Sequence, residues 1–380
     1  MNGWETLLDR PLAHVRRRGR FVVLDLRAPH RVLSTSARTG GQCDELLHLV
    51  NHQSCEGAGH LDRYHAITDR GPEAYHDAVC AELELPAERT ATMGTAANMS
   101  YAALATEADG AVEVIAVVTA GVQNNAACAG DPATWREGPS GMEKVPATPG
   151  TINTLLHIGV PLTAGALARA VVTMTEGKSA ALQRLAVPSC YSPDLATGTG
   201  TDQYCLAAPH EGPFTLTSSS PHMKLGELIG VAVRKATQEA IRWQNGLEAS
   251  YTRGVFHALG RYGIREATFF EEIAPHLEAA DMELLRKNSK SALYEPLVGA
   301  AAHALATVLD RVRHGTLPDG VARDAAVQHA AALASALAAQ PGRWPQMRDQ
   351  LLRTTAEDAS PAAPVLAALA LGWREKWRTG

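Results

Sequence analysis

The sequence predicts an α/β domain, layered in the α+β manner with a mixed sheet and flanking helices, followed by an all-α C-terminal extension. Short apolar runs of strand length alternate with longer helix-like stretches over residues 1–243. Strand signals disappear after Trp243, where the sequence becomes rich in Ala, Leu and Arg. The chain has 380 residues, 46% of them hydrophobic, which is enough for two cores. We therefore predict one domain over 1–243 and a helical region over 244–380.

Extended segments and helices alternate through the first half of that domain. Residues 21–26 and 31–34 are predicted strands, and residues 42–53 carry a helix-like pattern of apolar side chains. Residues 72–85 form a predicted helix that begins with Pro72. The run from 112 to 119 is typical of a buried strand. Because Pro and Gly recur over 131–149, that segment is predicted to be a loop without regular structure.

The second half of the domain contains two long helices. Thr163 is a plausible N-cap for a helix that ends near Leu185, and residues 224–243 form the other helix. Strands are predicted over 151–157 and 201–208. In the C-terminal region, helical stretches are predicted near 248–261, 266–288, 290–313, 321–339, 343–355 and 361–377.

Composition excludes several classes of function. The formal net charge is -5 and the pI about 6.3, so no basic excess indicates nucleic-acid binding. No run of about eighteen apolar residues predicts a membrane span, and the N-terminus lacks a secretory pattern. The 6 cysteines form no CxxC pair, as suits reduced thiols. We therefore expect a cytoplasmic protein that binds neither nucleic acid nor membrane.

Four polar turns rich in Gly, Thr and Asn interrupt the apolar pattern between residues 120 and 202. They occupy residues 120–125, 150–154, 175–179 and 197–202. Glycine lets the backbone approach a ligand, and short polar side chains supply rigid hydrogen-bonding groups. We therefore interpret the four turns as the rim of one site.

Several side chains in these turns could perform acid, base or oxyanion chemistry. Asn153 could stabilise an oxyanion, or simply cap its own turn. Asp202 could be a general base, or the anchor of an Asx turn. Glu176 and Lys178 are two residues apart on a helix and so do not face each other. One of these two charges could therefore point into a cleft, and the alternative is that both are solvated.

Two further polar groups lie outside the four turns. His222 precedes the helix of Lys224 and Glu227, where an imidazole would be exposed and could titrate near neutral pH. Lys224 and Glu227 have the spacing of an ordinary helical ion pair. Ser34 leaves a strand before a Gly-Gly turn, and a strand-exit turn is favoured over a nucleophile there.

A group of histidines raises the alternative of a metal site. His48 and His52 are four apart on the helix-like segment, and Cys55, His60 and His65 follow in a Gly-rich stretch. The HExxH motif is absent, because the sequence reads His-Leu-Val-Asn-His. Ordinary surface or loop histidines are favoured, and we predict no metal ligand.

An ordered set of motifs runs from residue 30 to residue 243. It comprises Val32-Leu33-Ser34, Gly40-Gly41 and Asn51; Thr119-Ala120-Gly121-Val122 with Asn124; Gly150-Thr151-Ile152-Asn153; Pro161-Leu162-Thr163 through Ala170; Thr175-Glu176 with Lys178 and Ala180-Ala181; Thr197-Gly198-Thr199-Gly200-Thr201-Asp202; and His222 with Lys224-Leu225-Gly226-Glu227-Leu228-Ile229-Gly230. Their joint order resembles the adenosylcobinamide amidohydrolase (CbiZ-type) family. The sequence departs from that family at Gly177, where Ala is expected, and in the long region after Trp243.

The resemblance implies hydrolysis of the amide that joins aminopropanol to the corrin ring of adenosylcobinamide, giving adenosylcobyric acid for cobamide salvage. The corrinoid is then the small-molecule partner, and it brings its own cobalt, so no other cofactor is expected. Two alternatives stay open: a non-catalytic corrinoid-binding protein, and an amidohydrolase of the same scaffold acting on another amide. The apolar faces of the helical region suit packing on the first domain or on a second copy in a homodimer.

Roles for individual residues follow from the chemistry of that reaction. Glu176 or Asp202 would be the base, Asn153 an oxyanion donor together with backbone N–H groups near Thr151, and His222 or Lys178 the acid or an orienting group. The nucleophile is either water or a hydroxyl such as that of Thr151. The expected substrate-binding residues are Gly121, Asn124, Thr151, Thr199, Thr201, Lys224, Ser34 and Asn51.

Overall fold

The structure is a computed structural model that describes residues 3–55, 71–133, 135–138, 141–144, 150–249, 253–356 and 362–377. The chain divides into two compact units, Met1–Glu248 and Ala249–Gly380. The first unit combines mixed sheets with helices and the second is helical, which confirms the predicted fold class.

The first unit contains two main sheets and three main helices. Its strands are β1 (Glu5–Asp9), β2 (Ala13–Arg18), β3 (Phe21–Leu26), β4 (His30–Ser34), β5 (Gly41–Cys43), β6 (His48–Gln53), β7 (Thr90–Thr95), β8 (Ala103–Asp109), β9 (Val112–Ala120), β10 (Ala126–Ala127), β11 (Trp135–Gly138), β12 (Gly141–Lys144), β13 (Ile152–Ile158), β14 (Gly198–Thr199) and β15 (Gln203–Pro209). Its helices are α1 (Pro72–Leu83), α2 (Ala164–Leu185) and α3 (Lys224–Asn245).

The two main sheets are both mixed. One has the order β1-β2-β3-β6-β7 and the other β5-β4-β15-β13-β9-β8. The parallel pairs are β6 with β7 and β13 with β15, and the remaining neighbours are antiparallel. The chain passes from β13 to β15 through α2, so this crossover places α2 on a face of the six-stranded sheet.

Side-chain alternation along the strands builds four layers, helix, sheet, sheet and helix. On β9, Val114 and Val118 pack against α2 and α3, whereas Ile115 and Val117 pack against the five-stranded sheet. The outer face of that sheet packs on α1, for example through Val50. The central strands β3, β9 and β13 are therefore buried on two faces, which explains why they read as nearly continuous apolar runs.

Two of the predicted elements in this unit are wrong. Residues 48–53 form a strand instead of a helix: Leu49 faces the six-stranded sheet while Val50 faces α1, an alternation of period two. A short apolar run does not distinguish the two structures by periodicity alone. The predicted loop 131–149 contains the β11–β12 hairpin. Neither strand contains a proline, so each can form its backbone hydrogen bonds although prolines flank it in the sequence.

The helix that begins after Thr163 is confirmed, and the Thr163 side chain accepts from Ala166 N as its N-cap.

Helices α2 and α3 approach closely at a pair of glycines. A β-carbon on buried Gly177 would lie 3.1 Å from the carbonyl oxygen of Gly230 and 3.2 Å from its Cα. Helix α2 is nevertheless continuous from Ala164 to Leu185. Gly177, the departure from the expected Ala, therefore serves helix packing.

Replacing Gly177 with Leu should destabilise the first unit by about 2 kcal/mol, because a long side chain must force the two helices apart. Gly165, on the same helix, has open space around it. Gly165→Ala is the matched control and should be neutral or stabilising, by up to about 1 kcal/mol. Urea midpoints of both variants measure the difference, and an undisturbed Gly177→Leu midpoint would contradict the packing role.

The second unit is built from helices around one core. Its helices are α4 (Val255–Leu259), α5 (Phe269–Ile273), α6 (Ala279–Leu293), α7 (Pro296–Arg313), α8 (Asp319–Ala338), α9 (Trp344–Thr354) and α10 (Pro364–Lys376). The predicted stretch 266–288 is divided between α5 and α6 by a 3₁₀ turn that contains Pro275. Trp373 is buried at the centre and donates to the carbonyl oxygen of Asp281 at 3.0 Å.

The helices in the described part of the chain were compared with the length and apolar composition that a membrane span requires. No single helix there is long and apolar enough to cross a membrane, and α6 with α7 meets the length and composition requirement only as a pair bent by 82°.

A buried histidine pair lies on the six-stranded sheet. His30 Nδ1 donates to the carbonyl oxygen of Ala28 at 2.7 Å, and the Nε2 atoms of His30 and His157 are 3.0 Å apart. In neutral His30 the proton lies on Nδ1, so Nε2 accepts the hydrogen bond that His157 Nε2 donates. Burial lowers the pKa of His157 to about 3, and burial also lowers the pKa of His30.

Acid should therefore destabilise this unit. The folded pKa of His157 lies below the unfolded value, so between about pH 6.5 and pH 3 the unfolded chain binds a proton that the folded chain does not. The contribution of His157 is complete above about pH 6.5 and should fall by about 2 kcal/mol on going to pH 5. Urea midpoints against pH measure this slope. His157→Gln should reduce it and exposed His222→Gln should not; equal slopes in both would contradict the assignment.

Candidate functional site

Strand ends from both sheets meet at one edge of the first unit. Strand β9 ends beside the start of β13, where Ala120 pairs with Ile152. Strand β15 begins at the same level, with Gln203 opposite Asn153. Three of the four predicted polar turns lie at this edge, and the fourth is the stretch of α2 that carries Lys178. We call this edge the turn end of the sheet.

Asp202 is the centre of the hydrogen-bond network at the turn end. Its Oδ1 accepts from Ile152 N at 3.0 Å and from the Thr199 hydroxyl at 2.5 Å. The Thr199 backbone N–H contacts both carboxylate oxygens, at 3.1 and 3.2 Å. One carboxylate therefore holds the loop before β15 against the first residue of β13.

Lys178 forms an ion pair with the Asp202 carboxylate. Its ammonium group forms an ion pair with Asp202 Oδ2, and the two side chains retain only 14% and 18% of their exposure. A β-carbon at Gly198 would overlap the carboxylate and would lie 2.7 Å from Lys178 Nζ. Glycine is therefore required at 198, because the ion pair lies directly against the backbone there.

A buried amide pair joins the two sheets beneath this ion pair. Asn153 Nδ2 donates to Asn51 Oδ1 at 2.9 Å and to the carbonyl oxygen of Gly94 at 3.1 Å. Asn51 in turn donates to the Thr119 hydroxyl at 2.8 Å. Asn153 is fully buried and both of its N–H bonds are used. This geometry gives Asn153 a positioning role and does not supply the predicted oxyanion donor.

The loops above the amide pair are held to each other by further hydrogen bonds. The carbonyl oxygen of Gly150 accepts from Asn125 Nδ2 at 2.7 Å and from the Thr201 hydroxyl at 2.8 Å. The Thr151 hydroxyl donates to the carbonyl oxygen of Thr201 at 2.6 Å. Tyr191 donates to Asn125 Oδ1 at 2.5 Å. The three loops consequently form one connected rim.

Most of the predicted site residues lie at the turn end. Those within the hydrogen-bond network are Asn51, Thr151, Asn153, Lys178, Thr199, Thr201 and Asp202, with Gly121 joined to the backbone of Thr151. Asn124 is exposed on the neighbouring loop. Ser34 ends β4 at this edge, but it is 5% exposed and its hydroxyl contacts the carbonyl oxygen of Thr39 at 3.2 Å.

Glu176 lies outside this network, so the geometry favours Asp202, the other predicted base. The side chain is exposed, whereas Lys178 is directed at Asp202. Gly177 lies between them and faces α3. Because successive helical residues are about 100° apart, the two neighbours of Gly177 lie on opposite sides of it, one toward the site and one toward solvent.

His222 and Lys224 lie at the opposite end of the sheet, which corrects their assignments as acid and ligand. Strand β15 begins at the turn end and carries the chain away from it, over about 20 Å. Ser219 then donates to the carbonyl oxygen of Ala166 in the first turn of α2 at 2.7 Å. Helix α3 starts there and returns, so that its last residue, Asn245, accepts from Val122 N at 3.2 Å. Lys224 pairs with Glu227 at 2.6 Å, as an ordinary helical pair.

The histidine group does not form a metal site within the described residues. On strand β6, His48 and His52 are four residues apart and therefore separated by about 13 Å. His48 contacts Asp25 at 2.7 Å and His52 contacts the Tyr75 hydroxyl at 3.1 Å. His60 and His65 lie outside the described residues, and in the part described no group of three or more His, Cys, Asp or Glu side chains could hold a metal ion.

Three rim residues were missed by the sequence analysis. Asn125, Tyr191 and Gly198 all contact predicted site residues. The adjacent amides Asn124 and Asn125 are indistinguishable in composition, and only the structure shows that Asn125 is the buried one. Gly198 could have been predicted from the sequence, because it is the first residue of the Gly-Thr-Gly-Thr-Asp turn that contains Thr199 and Asp202.

Comparison with known proteins identifies the relatives of the first unit. The sequence model described as adenosylcobinamide amidohydrolase (CbiZ) matches residues 6–249. The chain is also 32% identical over 236 residues to the uncharacterized protein MJ1613 of Methanocaldococcus jannaschii, an alignment that covers 60% of this chain and 88% of the relative. These matches confirm the resemblance seen in the motifs.

Proposed function

Because this chain belongs to the adenosylcobinamide amidohydrolase family, we propose that it hydrolyses the amide between aminopropanol and the corrin ring of adenosylcobinamide. The products are adenosylcobyric acid and aminopropanol. The corrinoid supplies its own cobalt as part of the substrate, and we propose no other cofactor. The observation that supports this activity most is the Lys178–Asp202–Thr199 constellation at a partly exposed rim.

Amide hydrolysis requires a base for the nucleophile, a stabiliser for the oxyanion and an acid for the leaving amine. Asp202 is proposed as the base, since the Thr199 hydroxyl already donates to it at 2.5 Å. Lys178 is proposed to keep the carboxylate in place by its charge and its hydrogen bond. After accepting a proton, Asp202 can return it to the departing amine nitrogen.

Backbone N–H groups of the rim are proposed as oxyanion donors in place of Asn153. Gly200 N and Thr201 N make only long contacts of 3.4 Å, to Asn125 O and to the Thr199 hydroxyl. Hydrogen bonds of that length are weak, so both groups can turn to a developing oxyanion at little cost. Both residues are exposed, as an approaching amide requires.

The substrate should be held by the polar rim while its reacting amide lies over Thr199. Asn124, Gly200 and Thr201 are the exposed groups that border this position. A corrin ring is broad and carries carboxamides at its margin, so hydrogen bonds from short polar side chains suit it better than a deep apolar pocket.

The proposal is tested by incubating the pure full-length chain with adenosylcobinamide and identifying the products by mass spectrometry. Adenosylcobyric acid together with aminopropanol is the expected result. Binding of the corrinoid without release of aminopropanol would instead select a corrinoid-binding protein. Absence of both binding and turnover, with hydrolysis of another amide from a substrate panel, would select the alternative amidohydrolase.

A further inference from the structure

We propose that Thr199 is the nucleophile of this site and forms a covalent ester with the carbonyl carbon of the substrate amide. The inference rests on the proposed amide hydrolysis and decides between water and a protein hydroxyl. Thr199 is half-buried on β14, at the rim, with its hydroxyl hydrogen directed at Asp202 Oδ1 over 2.5 Å. A hydroxyl bound to a carboxylate in this way can lose its proton as it attacks.

The neighbouring hydroxyls lack this arrangement. Thr151 is 6% exposed and donates to the carbonyl oxygen of Thr201, which is no base. Thr201 is exposed but donates to the carbonyl oxygen of Gly150. Neither hydroxyl therefore has a proton acceptor for nucleophilic attack.

Ser189 provides the closest comparison, because it also donates to a carboxylate. Its hydroxyl lies 2.6 Å from Asp131 Oδ2. However, its oxygen accepts from two backbone N–H groups, Tyr191 N at 3.0 Å and Ser192 N at 3.3 Å, so both of its lone pairs are used. Within the described part of the chain, the Thr199 hydroxyl accepts a single N–H contact, from Thr201 at 3.4 Å, and retains a lone pair for attack.

The first chemical step forms one bond and breaks another. The Oγ1–carbon bond forms while the Thr199 proton moves to Asp202. The carbon–nitrogen bond of the amide then breaks, and Asp202 gives that proton to the nitrogen, releasing the amine and leaving a Thr199 ester. In the second step, water attacks the ester carbon and gives its proton to Asp202. Asp202 returns the proton to Thr199 Oγ1 as the corrinoid carboxylic acid leaves.

Lys178 gives this assignment its electrostatic basis. Its ammonium group contacts Asp202 Oδ2, while Thr199 occupies Oδ1. The lysine can therefore remain paired with the carboxylate throughout, without competing for the oxygen that receives the proton. Lys178 is accordingly a positioning residue in this scheme.

The inference is tested by trapping the ester with hydroxylamine during turnover of adenosylcobinamide. Hydroxylamine competes with water for an ester and yields a corrinoid hydroxamate, which is identified by mass. The wild type and Thr199→Ser should both give the hydroxamate, with the Ser variant within about tenfold of wild-type turnover. Thr199→Val should lose about 10³-fold or more in kcat/KM and give no hydroxamate. Thr307→Val, at an exposed position on α7 in the second unit, is the matched control and should behave as wild type.

Two outcomes separate this inference from the proposed function. If the wild type hydrolyses adenosylcobinamide but Thr199→Val retains turnover within about tenfold, the covalent route is overturned while the function stands. If the wild type does not hydrolyse the corrinoid, an alkynyl β-lactone, which acylates activated hydroxyls, tests the nucleophile directly. Labelling of Thr199 that is lost in Asp202→Asn would then support the nucleophile, and absence of label on Thr199 would overturn it.

Discussion

Asp202→Asn should lower kcat/KM for adenosylcobinamide by about 10³-fold, although the side chain keeps its shape. The amide retains the shape of the carboxylate and can still accept one backbone hydrogen bond. It cannot take a proton from the Thr199 hydroxyl, which lies 2.5 Å from Oδ1, and it loses the charge that pairs with Lys178. Initial rates from product formation measure the loss.

Asp131→Asn is the matched control for this change. Asp131 also binds a hydroxyl and a backbone N–H, those of Ser189 and Cys128, but among the side chains that the structure describes it contacts no lysine. Its variant should stay within about tenfold of the wild-type rate. Urea midpoints of both variants would show that they are folded. Near-normal turnover by Asp202→Asn, with that fold intact, would remove Asp202 as the base.

Asn153→Ala should destabilise the first unit by about 3 kcal/mol, because it leaves one buried and one partly buried acceptor without donors. These are Asn51 Oδ1 and the carbonyl oxygen of Gly94, both bound by Asn153 Nδ2 between the sheets. The urea midpoint measures the loss. The double variant Asn51→Ala with Asn153→Ala should cost less than the sum of the single changes, since one orphaned acceptor is removed with its residue.

Thr237→Val is the control for Asn153→Ala, because it removes a buried polar group that has no hydrogen-bond partner among the described residues. The Thr237 hydroxyl is fully buried in α3 and has no hydrogen-bond partner among the described residues. Its removal should be neutral or stabilising, because no partner is orphaned. A similar midpoint loss in Thr237→Val and Asn153→Ala would show that the hydrogen bonds of Asn153 are not the cause.

The sequence predicted the layered α/β class because its strongest signals are those of doubly buried strands. Strand β9, whose side chains pack on both neighbouring layers, reads as apolar at nearly every position. Strand β6 was mistaken for a helix because its six residues are too few for periodicity to decide. Pairing with β3 and β7 settles its conformation, and pairing between distant segments is not visible locally.

The candidate site was predictable in composition but not in arrangement. Glycine-rich turns placed Thr199, Asp202 and Asn153 among the predicted site residues, and the structure brings all three to the turn end. Whether Glu176 or Lys178 faces the site depends on where α3 packs against Gly177, which is a tertiary contact. The error at His222 was avoidable, because a strand of seven residues must carry the chain to the other end of the sheet.

The directions of α2 and α3 determine the sign of the helix-dipole field at the turn end of the sheet. Neither α2 nor α3 begins at the turn end, so no positive helix dipole from this layer favours phosphate or carboxylate groups there. Both helices instead direct their partially negative termini to that side. In the hydrolysis proposed above, the acid product would be a carboxylate at neutral pH and would gain nothing from this field, whereas the released amine would become a cation that the field favours. The polarity of the two helices would then favour departure of the acid over its retention.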